Sequence, residues 1–184
     1  MNFGEILSRY EARTGATTTR ANLAALIDEA QVEISKRFGD IRREEYYSAE
    51  KGEEYDLPAD HLKTEEVKDE NNRRRRDFRV APDGKISFPV DGDYILIYTR
   101  VPDSIDKDDN NAEPDVHPIF HEMIVQYCAA KWWEDRSEGI PAEEAKSERM
   151  MREFYRKVDE AALVLRQRAF AVEPLEVHPI ARGY

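Results

Sequence analysis

The sequence has few of the features that mark secreted, membrane-bound or disulfide-stabilised proteins. Its single cysteine, Cys128, cannot form a disulfide within the chain, which fits a reducing compartment. No apolar run approaches the roughly 18 residues that a membrane-spanning helix needs. The first residues lack the basic and then apolar order of a signal peptide. We therefore expect a soluble, intracellular product that does not contact a membrane.

Short catalytic and cofactor-binding motifs are also lacking. The chain contains no G-x-S-x-G, no P-loop and no G-x-G-x-x-G. The acidic stretch 106–113, DKDDNNAE, has the composition of a calcium loop. It lacks the glycine at the sixth position and the glutamate at the twelfth that such a loop requires. The sequence predicts neither an enzyme nor a bound cofactor.

Positive charge is scarce. The 28 lysines and arginines face 39 aspartates and glutamates, which gives a net charge of −11 over 184 residues. Such a surface repels free duplex DNA. Hydrophobic residues nevertheless make up 40% of the chain, enough for one modest core with a small appended lobe.

Apolar residues at helical spacing predict four helices. The first covers 2–14, with a capping box of Asn2 and Glu5 and a stop at Gly15. The second follows the threonines at 17–19 and stops at Gly39. The third covers 118–136, and the fourth covers 142–171, opened by a proline at 141.

The middle of the chain has the alternation and turn signals of β-structure. Asp83-Gly84 and Asp91-Gly92 predict a three-stranded meander within 76–102, and residues 44–58 predict a further hairpin. The acidic segment 103–115 is predicted to be an exposed linker. The fold class is thus α+β and mainly α. The predicted parts are a helical bundle of 1–42 and 103–172, an inserted antiparallel β lobe of 43–102, and an extended C-terminal arm of 173–184.

His117 and His121 stand four residues apart, as in many zinc sites. A zinc protease needs glutamate directly after the first histidine, but Pro118 occupies that position and Glu122 lies outside the pair. No third ligand is evident in the sequence. We predict no metal site, with His117 at a helix cap and His121 half-buried. Cys128 has no base nearby in the sequence and is predicted to be a small core residue.

The one basic cluster consists of Arg73, Arg74, Arg75 and Arg76. It could contact phosphates in a nucleic-acid-binding module. Alternatively, it forms a solvated loop or pairs with acidic residues of a neighbouring subunit, which the overall acidity favours. Trp132 and Trp133 point about 100° apart on a helix, so one ring could enter the core while the other meets a partner. We take all six residues as candidates for a subunit interface.

The order of these parts resembles a known family. The Leu-Pro-Ala-Asp turn at 57–60 precedes an aliphatic strand that ends at Tyr98-Thr99-Arg100-Val101-Pro102. An acidic loop and a pair of helices follow. Over residues 18–170 this arrangement is similar to the head-to-tail adaptor proteins of tailed bacteriophages, also called connector or head completion proteins. The β region with its arginine run is larger than in the commoner, shorter adaptors.

The resemblance implies a structural virion protein without enzymatic activity or cofactor. Such adaptors are assembled in the cytoplasm of the host bacterium and lie in the neck of the virion. They form a homo-oligomeric ring, usually a dodecamer, below the portal protein; the ring extends the channel through which DNA passes and receives the tail or tail-completion proteins. A C-terminal segment can reach the portal. We expect the arm 173–184 to do so here, with its apolar residues as anchors: Leu175, Val177, Ile180 and Tyr184.

Overall fold

The computed structural model describes residues 1–39, 41–137 and 140–172. Within them lie four helices, one 3₁₀ turn and seven strands, so the α+β, mainly helical prediction is confirmed. The helices are α1 (Phe3–Thr14), α2 (Arg20–Phe38), α3 (His121–Arg136) and α4 (Pro141–Val172). The strands are β1 (Arg42–Ala49), β2 (Glu54–Asp56), β3 (His61–Asp69), β4 (Arg74–Arg75), β5 (Arg79–Val80), β6 (Lys85–Ser87) and β7 (Gly92–Arg100).

The ends of α1 and α2 lie where their capping residues predict. The Asn2 side chain accepts a hydrogen bond from the Glu5 amide, and the Glu5 carboxylate accepts one from the Asn2 amide. Thr19 caps α2 in a similar way through the amide three residues on. Gly15 and Gly39 end the two helices, each with a φ of 68°. Local chemistry alone therefore determines where these helices begin and end.

α3 and α4 form an antiparallel pair held by packing and by polar contacts. The Ser147 hydroxyl donates to the Ala130 carbonyl at 3.0 Å, deep in the interface. The Tyr127 and Phe154 rings meet edge to face, with centroids 5.1 Å apart. The core of the bundle draws on all four helices and on the segment between β7 and α3. Its largest fully buried side chains are Phe3, Ile6, Tyr10, Leu23, Ile27, Ile34, Phe120, Ile124 and Phe154.

The strands form two antiparallel sheets. The larger has the order β1-β7-β3-β4 and the smaller β2-β6-β5. Phe88, between β6 and β7, stacks on Tyr94 with ring centroids 4.2 Å apart. The two rings belong to a second core, separate from that of the bundle, formed by Ala49, Val67, Ile86, Phe88, Tyr94, Leu96 and Tyr98.

One of the two predicted β arrangements is right in part and the other is wrong. The Asp83-Gly84 turn does join the paired strands β5 and β6. The meander does not continue, however, because β7 pairs with β1 and β3 in the other sheet. The predicted hairpin of 44–58 is also wrong, since β1 pairs with β7 while β2 pairs with β6. Both errors arise because β7 offers a nine-residue partner whose buried aromatic side chains complete the lobe core.

The end of α2 touches the larger sheet at Gly39. A Cβ atom at this position would lie 2.8 Å from Oε1 of Glu65 and 2.9 Å from Oγ1 of Thr99. Two residues later, the carbonyl of Ile41 accepts a hydrogen bond from the Arg100 amide at 2.9 Å. Both the positive φ and the close approach favour glycine where the helices meet the strands.

The acidic segment 103–115 contains no helix or strand, as predicted, but it is anchored to the bundle. The Asp28 carboxylate accepts a hydrogen bond from the Ile105 amide at 2.9 Å, and Ile105 itself is buried. Asp115 forms an ion pair with Arg100 at 2.6 Å and accepts from the Asp103 amide at 2.8 Å. These contacts close the segment into a fixed loop against α2.

Candidate functional site

The four arginines follow a tight turn between β3 and β4, which we call the arginine turn (residues 69–76). Asn72 adopts a left-handed conformation with φ 59°. The Asp69 carboxylate accepts hydrogen bonds from the amides of Arg73 and Asn71, at 2.9 and 3.0 Å. These bonds, led by the one from Arg73, lower the pKa of Asp69. The aspartate therefore holds the turn in shape while the arginines extend from it.

The arginines of the turn differ in their partners. Arg75 is held between Asp77, at 2.5 Å, and Asp69, at 3.7 Å, while Arg74 lies 3.7 Å from Glu66. The side chains of Arg73 and Arg76 are exposed and form no ion pair with any residue that the structure describes. Two of the four charges are thus compensated within the lobe, and two are presented outward.

A groove on the helical side lies between α2, α3 and the segment after β7. It encloses about 630 Å³. Glu29 and Glu33, one helical turn apart on α2, lie on one wall, and the hydroxyl of Tyr127 donates to Glu29 at 3.3 Å. Burial, followed by the charge of Glu29, raises the pKa of Tyr127. We call this the bundle groove, lined by Ala25, Asp28, Glu29, Val32, Glu33, Lys36, Val101, Pro102, Ser104 and Tyr127.

The tryptophans lie at the end of α3 and touch each other edge to face, with centroids 4.5 Å apart. Trp132 packs against the bundle core from its edge, so this ring contacts the core without being buried in it. Trp133 lies beneath Lys146 of α4, whose Nζ is 3.4 Å from the ring centroid. Both rings are half-buried, so the pair fastens α3 to the start of α4.

The two histidines both make hydrogen bonds around the start of α3. His117 caps the 3₁₀ turn that precedes α3, through its Nδ1 and the Ile119 amide, as predicted. His121 is only 2% exposed, so the prediction that it is half-buried is wrong. Its Nε2 donates to the Val116 carbonyl, and its Nδ1 accepts from the amino group of Met1 at 2.9 Å. The contact between Met1 and His121 explains the deeper burial. The local sequence does not predict it, because the two residues are 120 positions apart.

Two further observations concern the reactivity of the cysteine and the binding of a metal ion. Cys128 is fully buried, and burial raises the pKa of its thiol, which confirms its assignment to the core. In the part of the chain that the structure describes, no three His, Cys, Asp or Glu side chains come together in a way that could hold a metal ion.

The sequence matches the SU10 adaptor protein family over residues 1–176. The chain belongs to this family. The resemblance to phage head-to-tail adaptors is thereby confirmed, and the adaptor is a structural bacteriophage protein. No curated protein matches the chain. Across 1–39, 41–137 and 140–172, no helix of the adaptor has both the length and the apolarity to cross a membrane.

The structure brings together only part of the adaptor's predicted site. The arginines share one turn and the tryptophans share one helix end, but these lie on different parts of the molecule. The predicted anchors of the C-terminal arm lie outside the described residues: Leu175, Val177, Ile180 and Tyr184.

Sequence reasoning missed the bundle groove of the adaptor. Its signal was the pair Glu29 and Glu33, four residues apart beside the apolar stripe of α2. The opposite wall comes from Val101 and Pro102, about 70 residues later, and the sequence gives no indication of that approach.

Proposed function

We propose that the chain is a head-to-tail adaptor that forms a homo-oligomeric ring below the portal in the neck of the virion. The ring, a dodecamer as the resemblance implies, extends the channel through which DNA passes and provides the surface to which tail or tail-completion proteins attach. Assembly takes place in the cytoplasm of the host bacterium. The match to the SU10 adaptor protein family over 1–176 is the observation that carries this proposal.

The charge of the chain supports a role in which DNA passes without binding. A ring of subunits that each carry −11 gives a repulsive channel, and repulsion keeps a moving polyphosphate from adhering to the wall. The arginine turn does not reverse this balance, since Arg74 and Arg75 are compensated by neighbouring carboxylates.

The ring is tested by mass photometry and negative-stain electron microscopy of the purified chain, alone and mixed with portal rings. We expect closed rings of one size, stacked on portals in the mixture. A chain that stays monomeric both alone and with portals would contradict the proposal.

The C-terminal arm supplies the proposed portal anchor. The segment has two prolines and no helical period, yet it contains Leu175, Val177, Ile180 and Tyr184, which suits an extended segment bound in a groove of another protein. Deleting 173–184 should leave the circular dichroism spectrum and melting temperature unchanged but abolish co-sedimentation with portal-bearing capsids. The double variant Glu176→Ala/His178→Ala, in the same arm, is the matched control and should still dock. Full occupancy by the truncated chain would assign docking to the helices instead.

The alternative function is a nucleic-acid-binding module that uses Arg73–Arg76. The ion pairs of Arg74 and Arg75 leave fewer charges available for phosphates than the sequence suggests. Fluorescence anisotropy with duplex DNA at near-physiological salt should show little binding at submicromolar protein. Submicromolar binding that is lost when all four arginines are changed to alanine, with a steep salt dependence, would favour this alternative.

A further inference from the structure

The arginine turn lies at the end of the β lobe that points away from the helices. Gly39, where α2 ends, touches Glu65 and Thr99. Asp69, at the start of the turn, pairs with Tyr94 at the other end of β7. The five steps from Tyr94 to Thr99 span about 17 Å at roughly 3.4 Å per strand residue. The turn is therefore held well away from the helices of its own subunit.

The bundle groove presents an apolar surface and carboxylates, which complement the positive charge of the arginine turn. Part of its lining is apolar, formed by Val32, Pro102, the Tyr127 ring and Val101, which is 38% exposed. Its wall is acidic. Glu29 is exposed and makes no ion pair within the described residues, while Glu33 pairs with Lys36 at 2.8 Å. The carboxylates of the lining, those of Asp28, Glu29 and Glu33, still outnumber its one lysine. A basic segment with long aliphatic stems suits both surfaces.

Arginine side chains meet both requirements. Their methylene stems cover apolar surface, and their planar guanidinium groups bind carboxylates through two parallel hydrogen bonds. Arg73 and Arg76 have such side chains and no intramolecular ion pair in the described structure. Because the turn is held away from the helices of its own chain, the groove that it fits belongs to a second copy.

We propose that the arginine turn of one subunit docks in the bundle groove of the next copy, with Arg73 and Arg76 facing Glu29 and Glu33. Two different surfaces meet in such a contact, so it repeats head to tail and closes into a ring when the rotation allows. This inference deepens the proposed function and rests on it, since it names the contact that joins the subunits of the ring.

Charge reversal on each side tests the contact. The turn variant is Arg73→Glu/Arg76→Glu, and the groove variant is Glu29→Lys/Glu33→Lys. Each variant alone should associate about tenfold more weakly than the wild type, or not at all, in sedimentation velocity at physiological salt. The combined variant, with all four changes, should recover rings. A defect in folding would not be repaired by adding two more substitutions, so recovery reports on the contact itself.

Mixing the two double variants adds a sharper readout. The turn variant keeps an intact groove and the groove variant keeps an intact turn, and the reversed turn of the first also matches the reversed groove of the second. An equimolar mixture should therefore form rings in which the two variants alternate, although each variant alone forms none. The matched control Lys51→Glu/Lys85→Glu changes the charge of the same lobe by the same amount and should form rings normally. Both lysines lie in or beside the smaller sheet, away from the turn.

Three outcomes would overturn the contact. Rings from either double variant alone would show that the substituted residues are not needed for association. A combined variant that stays monomeric would show that the arginines of the turn do not face the glutamates of the groove. A wild-type chain without self-association would exclude a second copy as the occupant of the groove. The portal-docking assay is read separately. A ring that forms through other surfaces and still docks would refute this contact and leave the proposed function standing.

Discussion

The helical bundle and the β lobe are built on different principles. Each helix of the bundle is marked in its own sequence by caps and an apolar stripe, and the helices then pack along those stripes. The lobe is assembled from strands that are distant in sequence, since β1 pairs along its whole length with β7, about 50 residues later. Pairing of this kind must overcome the entropy of closing long loops, which slows folding.

The two cores also differ in what they bury. The bundle core draws on four helices and a loop, whereas the lobe core is a small cluster dominated by Phe88, Tyr94 and Tyr98. Around it the lobe carries ion pairs that are largely exposed and contribute little each. We infer that the bundle is the stable scaffold and the lobe the more easily opened part. Four predictions test this difference, from the largest expected effect to the smallest.

Truncation in the bundle core should destabilise the whole chain. Phe154 is fully buried against Tyr127, so Phe154→Ala leaves a cavity and should lower the free energy of unfolding by about 3–5 kcal/mol. Urea unfolding followed by circular dichroism measures the loss. The neighbouring change Glu153→Ala, on the exposed side of α4, should alter stability by less than about 0.5 kcal/mol. Equal effects from the two variants would contradict the assigned core.

Truncation in the lobe core should act locally. Phe88→Ala removes the ring that stacks on Tyr94 and should cost about 3 kcal/mol within the lobe. Hydrogen exchange should accelerate in β1, β3 and β7 while α3 stays protected. Tyr46→Ala, at a side chain 68% exposed, is the control and should leave exchange unchanged. Acceleration in α3 to the same extent would mean that bundle and lobe unfold as one unit.

Two glycine substitutions test the junction between the bundle and the lobe. Gly15 and Gly39 have the same φ, but only Gly39 lies against the sheet. Gly15→Ala meets open space, so it should cost about 1 kcal/mol from the left-handed backbone alone. Gly39→Ala adds a Cβ atom 2.8 Å from a Glu65 carboxylate oxygen and should cost about 2 kcal/mol. The difference in urea midpoints isolates the contact of helix and sheet. Identical midpoints would show that Glu65 moves aside freely.

The smallest expected effect is the change in the free energy of unfolding with pH. Burial lowers the pKa of His121 in the bundle and of His61 in the lobe. The unfolded chain therefore binds more protons than the folded chain, and stability should fall as the pH drops below the unfolded value of about 6.5. His121→Gln should flatten this fall in urea unfolding, and His61→Gln should flatten the pH dependence of hydrogen exchange in the lobe. An unchanged pH dependence in the His121 variant would rule out that residue as a source.

Prediction from sequence was most successful where the signal is local. The capping box of Asn2 and Glu5, the glycine stops of α1 and α2, and His117 at its cap all depend on residues within four positions of one another. Of the site, the exposure of Arg73 and Arg76 and the contact of one tryptophan with the core could be predicted in the same way. The groove that we assign to the turn could not, because its walls come from distant parts of the chain.

By itself, the sequence determined the helices, the fold class, the family and the acidic surface. Apolar periodicity and helix caps can be recognised within short segments, and the net charge is a sum over all residues. Only the tertiary structure decided which strands pair, how deeply His121 is buried and how the loop 103–115 is fixed. The Asp83-Gly84 turn joins β5 and β6 as its residues predict, but β7 pairs with β3 in the larger sheet and does not extend the predicted meander. The free energy of burying Tyr94, Leu96 and Tyr98 together outweighs the preference of any single turn.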